Sequence, residues 1–190
     1  MRIDWEVTTQ PTEEPVTLAD MKTHLRVDNN NDDALIVGLI AAAREWCEGI
    51  QGRAYFTQTM TVSLDSFVDC LDMPRPPLQS ISSITYVDSN GDTQTLSSTY
   101  YTVDTRSEPG RVYLAYDQTW PTHRDVRHAI TITAVCGYDS IDKVPDRIKA
   151  AIKLLAAHWY ENREAVTSIS LKETPRAVMS LLGIDRMHEL

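Results

Sequence analysis

Long apolar runs are missing from this 190-residue chain. The longest stretch without a charged or strongly polar residue, Ala34 to Ala43, is ten residues, whereas a membrane-spanning helix needs about 20. No span is expected. The opening Met1-Arg2-Ile3-Asp4-Trp5 has neither an apolar stretch nor a small-residue cleavage site, and so reads as a cytosolic product. Cysteine is scarce: Cys47, Cys70 and Cys136 show no C-x-x-C spacing, and an odd number leaves one over in any disulfide scheme. Reduced thiols in the core are expected. Basic residues are few, 18 against 27 acidic, for a net charge of −9, which opposes nucleic-acid binding by phosphate neutralisation. Also absent are a Gly-x-x-x-x-Gly-Lys phosphate loop, a Gly-x-Ser-x-Gly elbow and a His-Glu-x-x-His helix, so the common nucleophile and phosphate devices are excluded.

What is present, 42% hydrophobic and 24% charged residues, suffices for one good core or a body with a small appendage, and excludes both a large multidomain enzyme and wholesale disorder. The acid is uneven. Residues 1–52 carry four basic and ten acidic groups, residues 53–141 six and ten, and residues 142–190 eight and seven.

Thr17 followed by Asp20 resembles a capping box ahead of Leu18, Met21 and Leu25, which predicts a short first helix. After the polar loop Asp28 to Asp33, a second helix is expected from Ala34 to about Cys47. Its stripe is Leu35, Leu39, Ala42 or Ala43 and Trp46, widened by Ile36, Ile40 and Cys47, and Gly49 and Gly52 are expected to break it. From Tyr55 the period changes to two, with Met60, Val62 and Leu64 alternating against Thr59, Thr61 and Ser63. Ile81 to Tyr86 then leads into Asp88-Ser89-Asn90-Gly91-Asp92, where Asn-Gly suits a type I′ hairpin turn. Tyr100–Val103, Val112–Tyr116 and Ala129–Val135 complete a small antiparallel sheet or sandwich. Pro145 starts a long helix whose seam is Ile148, Ile152, Leu155 and Trp159, and Thr174-Pro175 starts a short last one ending at Gly183. The fold class is therefore α+β: a helical body with an inserted small antiparallel β domain and a short C-terminal helix. The expected division is a helical part at 1–54, the β insertion at 55–140, a long helix completing the body at 141–164, and a flexible linker with a docking tail at 165–190.

Candidate chemistry is thin. Asp28, Asn30 and Asp32 occupy the first ligand positions of an EF-hand loop, but Asp33 stands where its glycine belongs and Leu39 where its bidentate Glu belongs. His158 and Glu161 reverse the order a dimetal helix bundle uses, and do not repeat. His123, Arg124, Asp125, Arg127 and His128 read as solvated charge in a turn. No catalytic residue, metal or cofactor is expected, and the four tryptophans read as anchors of the core or of subunit contacts.

Taken together, residues 17–190 resemble the head-to-tail connector, or head-completion adaptor, family of long-tailed bacteriophages and related gene transfer agents. The residues that carry the resemblance are Leu18 to Val27, Asp32 to Leu35, Leu39 to Glu48 and Gly52-Arg53, then Pro76-Pro77-Leu78, Ile84 to Asp88 with Gly91, Gly137-Tyr138, Val144-Pro145 and His158 to Glu164. The family usually ends with a proline, a Leu-Leu and a Tyr-Arg, whereas this chain reads Leu181-Leu182-Gly183-Ile184-Asp185-Arg186. The resemblance implies a ring of about twelve copies in the virion neck, made in the host cytoplasm, beneath the portal and above a stopper or other tail-completion protein. Packaged DNA would pass through the channel without sequence-specific binding, and no reaction is implied.

Within that frame the broad apolar helix faces predict a subunit interface through Leu35, Leu39, Trp46, Ile148, Ile152 and Leu155. The apolar C-terminal segment predicts portal docking through Arg176, Val178, Leu181, Leu182, Ile184, Arg186, Met187 and Leu190. Two other readings compete. A stopper or terminator would carry more strand and less flanking helix. A small ligand-binding β module on a helical base would use Tyr86, Tyr100, Tyr101, Tyr113 and Tyr116.

Overall fold

A computed structural model describes residues 3–162 and 176–187. The chain forms two compact units, one from residues up to 11 with 57–139, the other from residues 12–56 with those described from 140 onward.

The first unit is built of strands. A five-stranded antiparallel sheet has the order β1 (Asp4–Thr9), β2 (Gln58–Leu64), β8 (Ile130–Cys136), β4 (Leu78–Val87), β5 (Thr93–Thr95), and a three-stranded one the order β3 (Cys70–Asp72), β7 (Arg111–Leu114), β6 (Tyr101–Asp104). The period of two fixes the central register: Met60, Val62 and Leu64 are buried and stand opposite Ala134, Ile132 and Ile130, also buried. Their threonine and serine neighbours occupy the other face. At the hairpin after β4, Asn90 does not take the positive φ that a type I′ turn requires, and Gly91 alone does, at 96°. The reason is Asp88, whose Oδ1 accepts the backbone N–H groups of Asn90, Gly91 and Asp92 at 2.8, 3.1 and 3.1 Å. That bond set holds a three-residue loop closed by a left-handed glycine. β1 lies in this unit, whereas the sequence reading placed all of residues 1–54 in the helical part. As an edge strand it pairs on one side only and buries too little to show an apolar alternation.

The second unit holds α1 (Leu18–Leu25), α2 (Asp33–Gln51), α3 (Asp146–Glu161) and α4 (Arg176–Leu182). Thr17 Oγ1 accepts the Asp20 N–H at 3.1 Å and caps α1. α2 runs through Gly49 and ends only at Gly52, whose φ of 68° closes the helix. Its buried side is Ile36, Ile40, Ala43, Arg44, Cys47, Glu48 and Gln51; Ile36, Ile40, Ala43 and Cys47 of the expected stripe lie on it, whereas Leu35, Leu39 and Trp46 stand one residue round from it. α3 packs on α2 and α4, with Ile148, Ile152 and Leu155 inside. No helix among the described residues is long and apolar enough to cross a membrane.

Candidate functional site

The polar residues buried on α2 organise the helical unit. Arg44 is 2% exposed, and its guanidinium donates to Glu14 Oε2 at 2.8 Å, Glu48 Oε2 at 2.9 Å and Glu45 Oε1 at 3.5 Å. Glu48 uses its second oxygen to accept the Tyr55 N–H at 2.7 Å. Three carboxylates thus meet at one guanidinium. Burial pushes the Glu14 carboxyl above its ordinary value, against the opposing pull of Arg44.

One helical turn on, Gln51 clasps the C-terminal segment. Its Nε2 donates to the carbonyls of Leu182 at 3.0 Å and Ile184 at 2.8 Å, and its own carbonyl accepts the Met187 N–H at 2.9 Å. Arg53 Nε adds a bond to the Asp185 carbonyl at 2.8 Å, and Arg147 pairs with the Asp185 carboxylate. Tyr55, fully buried, orients Gln51 by donating to its Oε1 at 2.8 Å.

These contacts decide where the predicted docking residues lie. Val178 and Leu182 are wholly buried in the helical unit, because α4 closes over α3 and its last carbonyls are satisfied by Gln51. The segment is therefore not a free tail. Arg176, Ile184 and Arg186 are exposed, Leu181 and Met187 half-buried, and Leu190, like the linker expected at 165–173, lies outside the described residues. The predicted subunit interface divides in the same way. Ile148, Ile152 and Leu155 are buried in their own protomer and offer no surface to a partner, since α2 and α4 already cover that seam. Leu35 is exposed, and Leu39 and Trp46 are half-buried.

Beside the exposed face of α2 runs a groove of about 310 Å³, floored by Val16, Leu18, Ile40 and Ile141 and edged by Glu13, Glu14 and Thr17. Val37, 48% exposed, stands on its lip. The sequence reading missed Val37, Glu13 and Glu14. The signal available was an isolated valine between the two apolar rows of α2, next to a Glu-Glu-Pro turn.

The loop that resembled an EF-hand is filled by the protein's own groups. Lys22 Nζ donates to Asn30 Oδ1 and Asp33 Oδ1, both at 2.7 Å, and the Tyr160 hydroxyl donates to Asp32 Oδ2 at 2.6 Å. No group of three or more His, Cys, Asp or Glu arranged for a metal ion occurs among the described residues. In the β unit, His128 Nε2 lies 2.9 Å from Asp4 Oδ2, and its backbone N–H donates to Asp65 Oδ1 at 2.9 Å. These bonds fasten the turn before β8. A small cavity of about 20 Å³ in the strand unit, room for one water, is lined by Leu64, Phe67, Leu71, Ile84, Trp120 and neighbours, and by none of the five tyrosines expected of a ligand-binding module.

Comparison with known proteins places this architecture. Residues 15–102 match the family of phage gp6-like head-tail connector proteins. A comparison with curated proteins finds no match. Among solved structures, a chain from the neck of an empty gene transfer agent particle computed with C6 symmetry shares 20% identity at a TM-score of 0.80, with 98% of this chain and 97% of that one covered. A chain from the virion of a native gene transfer agent particle gives 20%, 0.78, 98% and 96%. One from the neck of a native particle computed with C12 symmetry gives 20%, 0.74, 100% and 97%. The resemblance to head-to-tail connectors therefore holds in sequence over residues 15–102, and over nearly its whole length the chain shares its fold with chains from gene transfer agent particles.

Proposed function

We propose that this chain is a structural neck protein, a head-completion adaptor that forms a ring beneath the portal and lets DNA pass through its centre. The observation that carries the reading is the fold, shared end to end with chains of particle necks that have cyclic symmetry, together with the connector family match on the N-terminal part. The groups that would suggest another use are spent on the fold. The loop with calcium-like spacing is tied to Lys22 and Tyr160, and the buried acids are tied to Arg44. Its partners are then further copies of itself, the portal protein above and a stopper or other tail-completion protein below. A net charge of −9 suits a channel along which DNA slides without sticking.

Negative-stain imaging of the purified chain, alone and mixed with portal protein, tests this reading. Rings of uniform diameter are expected in at least one of the two samples. Single globules in both would overturn the reading in favour of a ligand-binding module.

A further inference from the structure

The helical unit carries an acid-edged apolar groove and, elsewhere on its surface, a basic apolar ridge. We infer that they are the two halves of one contact, with α4 of one copy seated in the groove of the next. This inference rests on the ring reading and names the surfaces that close it. A cyclic ring needs two different complementary patches on each subunit, because a head-to-tail contact never pairs a patch with itself.

The groove supplies one patch. Its floor is apolar, with Val16, Leu18, Ile40 and Ile141, and Val37 stands exposed on its lip. Glu13 and Glu14 edge it, and Glu14 is one of three carboxylates gathered at the Arg44 guanidinium. A partner that fits must bring an apolar side chain flanked by positive charge.

α4 and its C-terminal turn supply the other. Val178 and Leu182 face inward, while Met179 and Ile184 stand 41% and 55% exposed, with the exposed Arg176 and Arg186 on either side. Asp185, the one acid in this stretch, is paired with Arg147 of its own chain, so the ridge presents a net positive charge. The clasp from Gln51 and Arg53 holds the ridge in a fixed position, which lowers the ordering cost of docking a helix in a groove. Other exposed apolar side chains with arginine close by lie in the strand unit: Trp5, whose ring the Arg75 guanidinium already covers at 4.7 Å, and Val126, between Arg124 and Arg127 but beside Asp125.

Cysteine cross-linking of the full-length chain tests the contact, with the exposed Cys70 changed to Ser. Mixing copies that carry Val37→Cys with copies that carry Met179→Cys should give disulfide-linked dimers under mild oxidation, and neither variant alone should. In parallel, Val37→Asp and Met179→Asp should each weaken self-association more than tenfold with an unchanged melting temperature, whereas Val126→Asp should not. Cross-linking of Val37→Cys to itself or to Val126→Cys would overturn the pairing. So would normal assembly of both aspartate variants, and this last result would leave the ring reading standing. If Met179→Asp assembles normally but no longer binds purified portal protein, the ridge belongs to the portal and the inference fails. Absence of any assembly, with or without portal protein, would remove the ring reading as well.

Discussion

Gln51 joins two segments separated by more than half the chain, and its amide donates to two carbonyls at and just beyond the end of α4. Replacing it by leucine leaves both carbonyls short of a partner, at roughly 1–3 kcal/mol for each buried group left unsatisfied, whereas the Tyr55 hydroxyl keeps the Cys47 carbonyl at 3.0 Å. Gln51→Leu should therefore lower the stability of the helical unit by about 2–4 kcal/mol, measurable as a shift in the urea midpoint. Glu14 gives a pH signature. Its carboxyl is raised above the ordinary 4.5, so the fold favours the protonated form. The stability it contributes is complete below the unfolded value and declines as pH rises through the raised one. Compared with Glu14→Gln, the parent should lose stability between about pH 4 and about pH 7, in urea titrations at the two pH values. The thiols divide by burial. Cys47 and Cys136 are buried, with pKa values pushed up to about 12 by desolvation, while Cys70 is exposed. At mildly alkaline pH a thiol reagent should titrate one cysteine in the native chain and three in denaturant. None of the Gln51 contacts was legible beforehand. A glutamine at the end of a helix, followed by glycine and arginine, has no pattern that marks it as buried.

Whether an element could be read depended on how many of its sides are covered. β2 and β8 are central strands with one buried face, and their alternation of apolar and hydroxyl residues stated both the strand and its register. β1 and the three-residue β3 gave no such signal, one pairing only along an edge and the other too short to show a period. α2 was legible as a helix, with part of its stripe turned by one residue. Arg44, Glu48 and Gln51 lie on its buried side, so the apolar residues alone pointed toward Leu35, Leu39 and Trp46. The same lesson applies to α4, whose apolar residues were read as a docking surface although two of them complete a core. Truncation after Glu173 should accordingly lower the melting temperature of the isolated chain, since it empties the places of Val178 and Leu182 and orphans Gln51. An unchanged melting temperature would show α4 to be dispensable to the protomer. Gly38 in α2 has nothing within 4 Å of the position a Cβ would take. Gly38→Ala should therefore stabilise the protomer by about 0.5–1 kcal/mol, read from the same urea midpoints.

At the scale of the whole molecule, the acidic surplus resides mainly in residues 1–141, and residues 142–190 are close to neutral. DNA affinity should be weak and nearly independent of salt. A gel-shift signal that falls steeply between low and moderate salt would show counterion release and contradict the sliding role. The order in which the chain visits its two units has a consequence of its own. The β unit is complete once residue 139 is made, whereas α2 must wait for α3 and α4, whose residues come from 146 onward. During translation the strands can therefore close while the buried side of α2 still lacks its partners. Nascent chains arrested with residue 139 clear of the ribosome should already protect residues 58–136 from protease and leave residues 33–51 open to cleavage. Synthesis itself thus separates a finished strand module from an unfinished helical one, and the ridge on α4 can form only when the last helix has emerged.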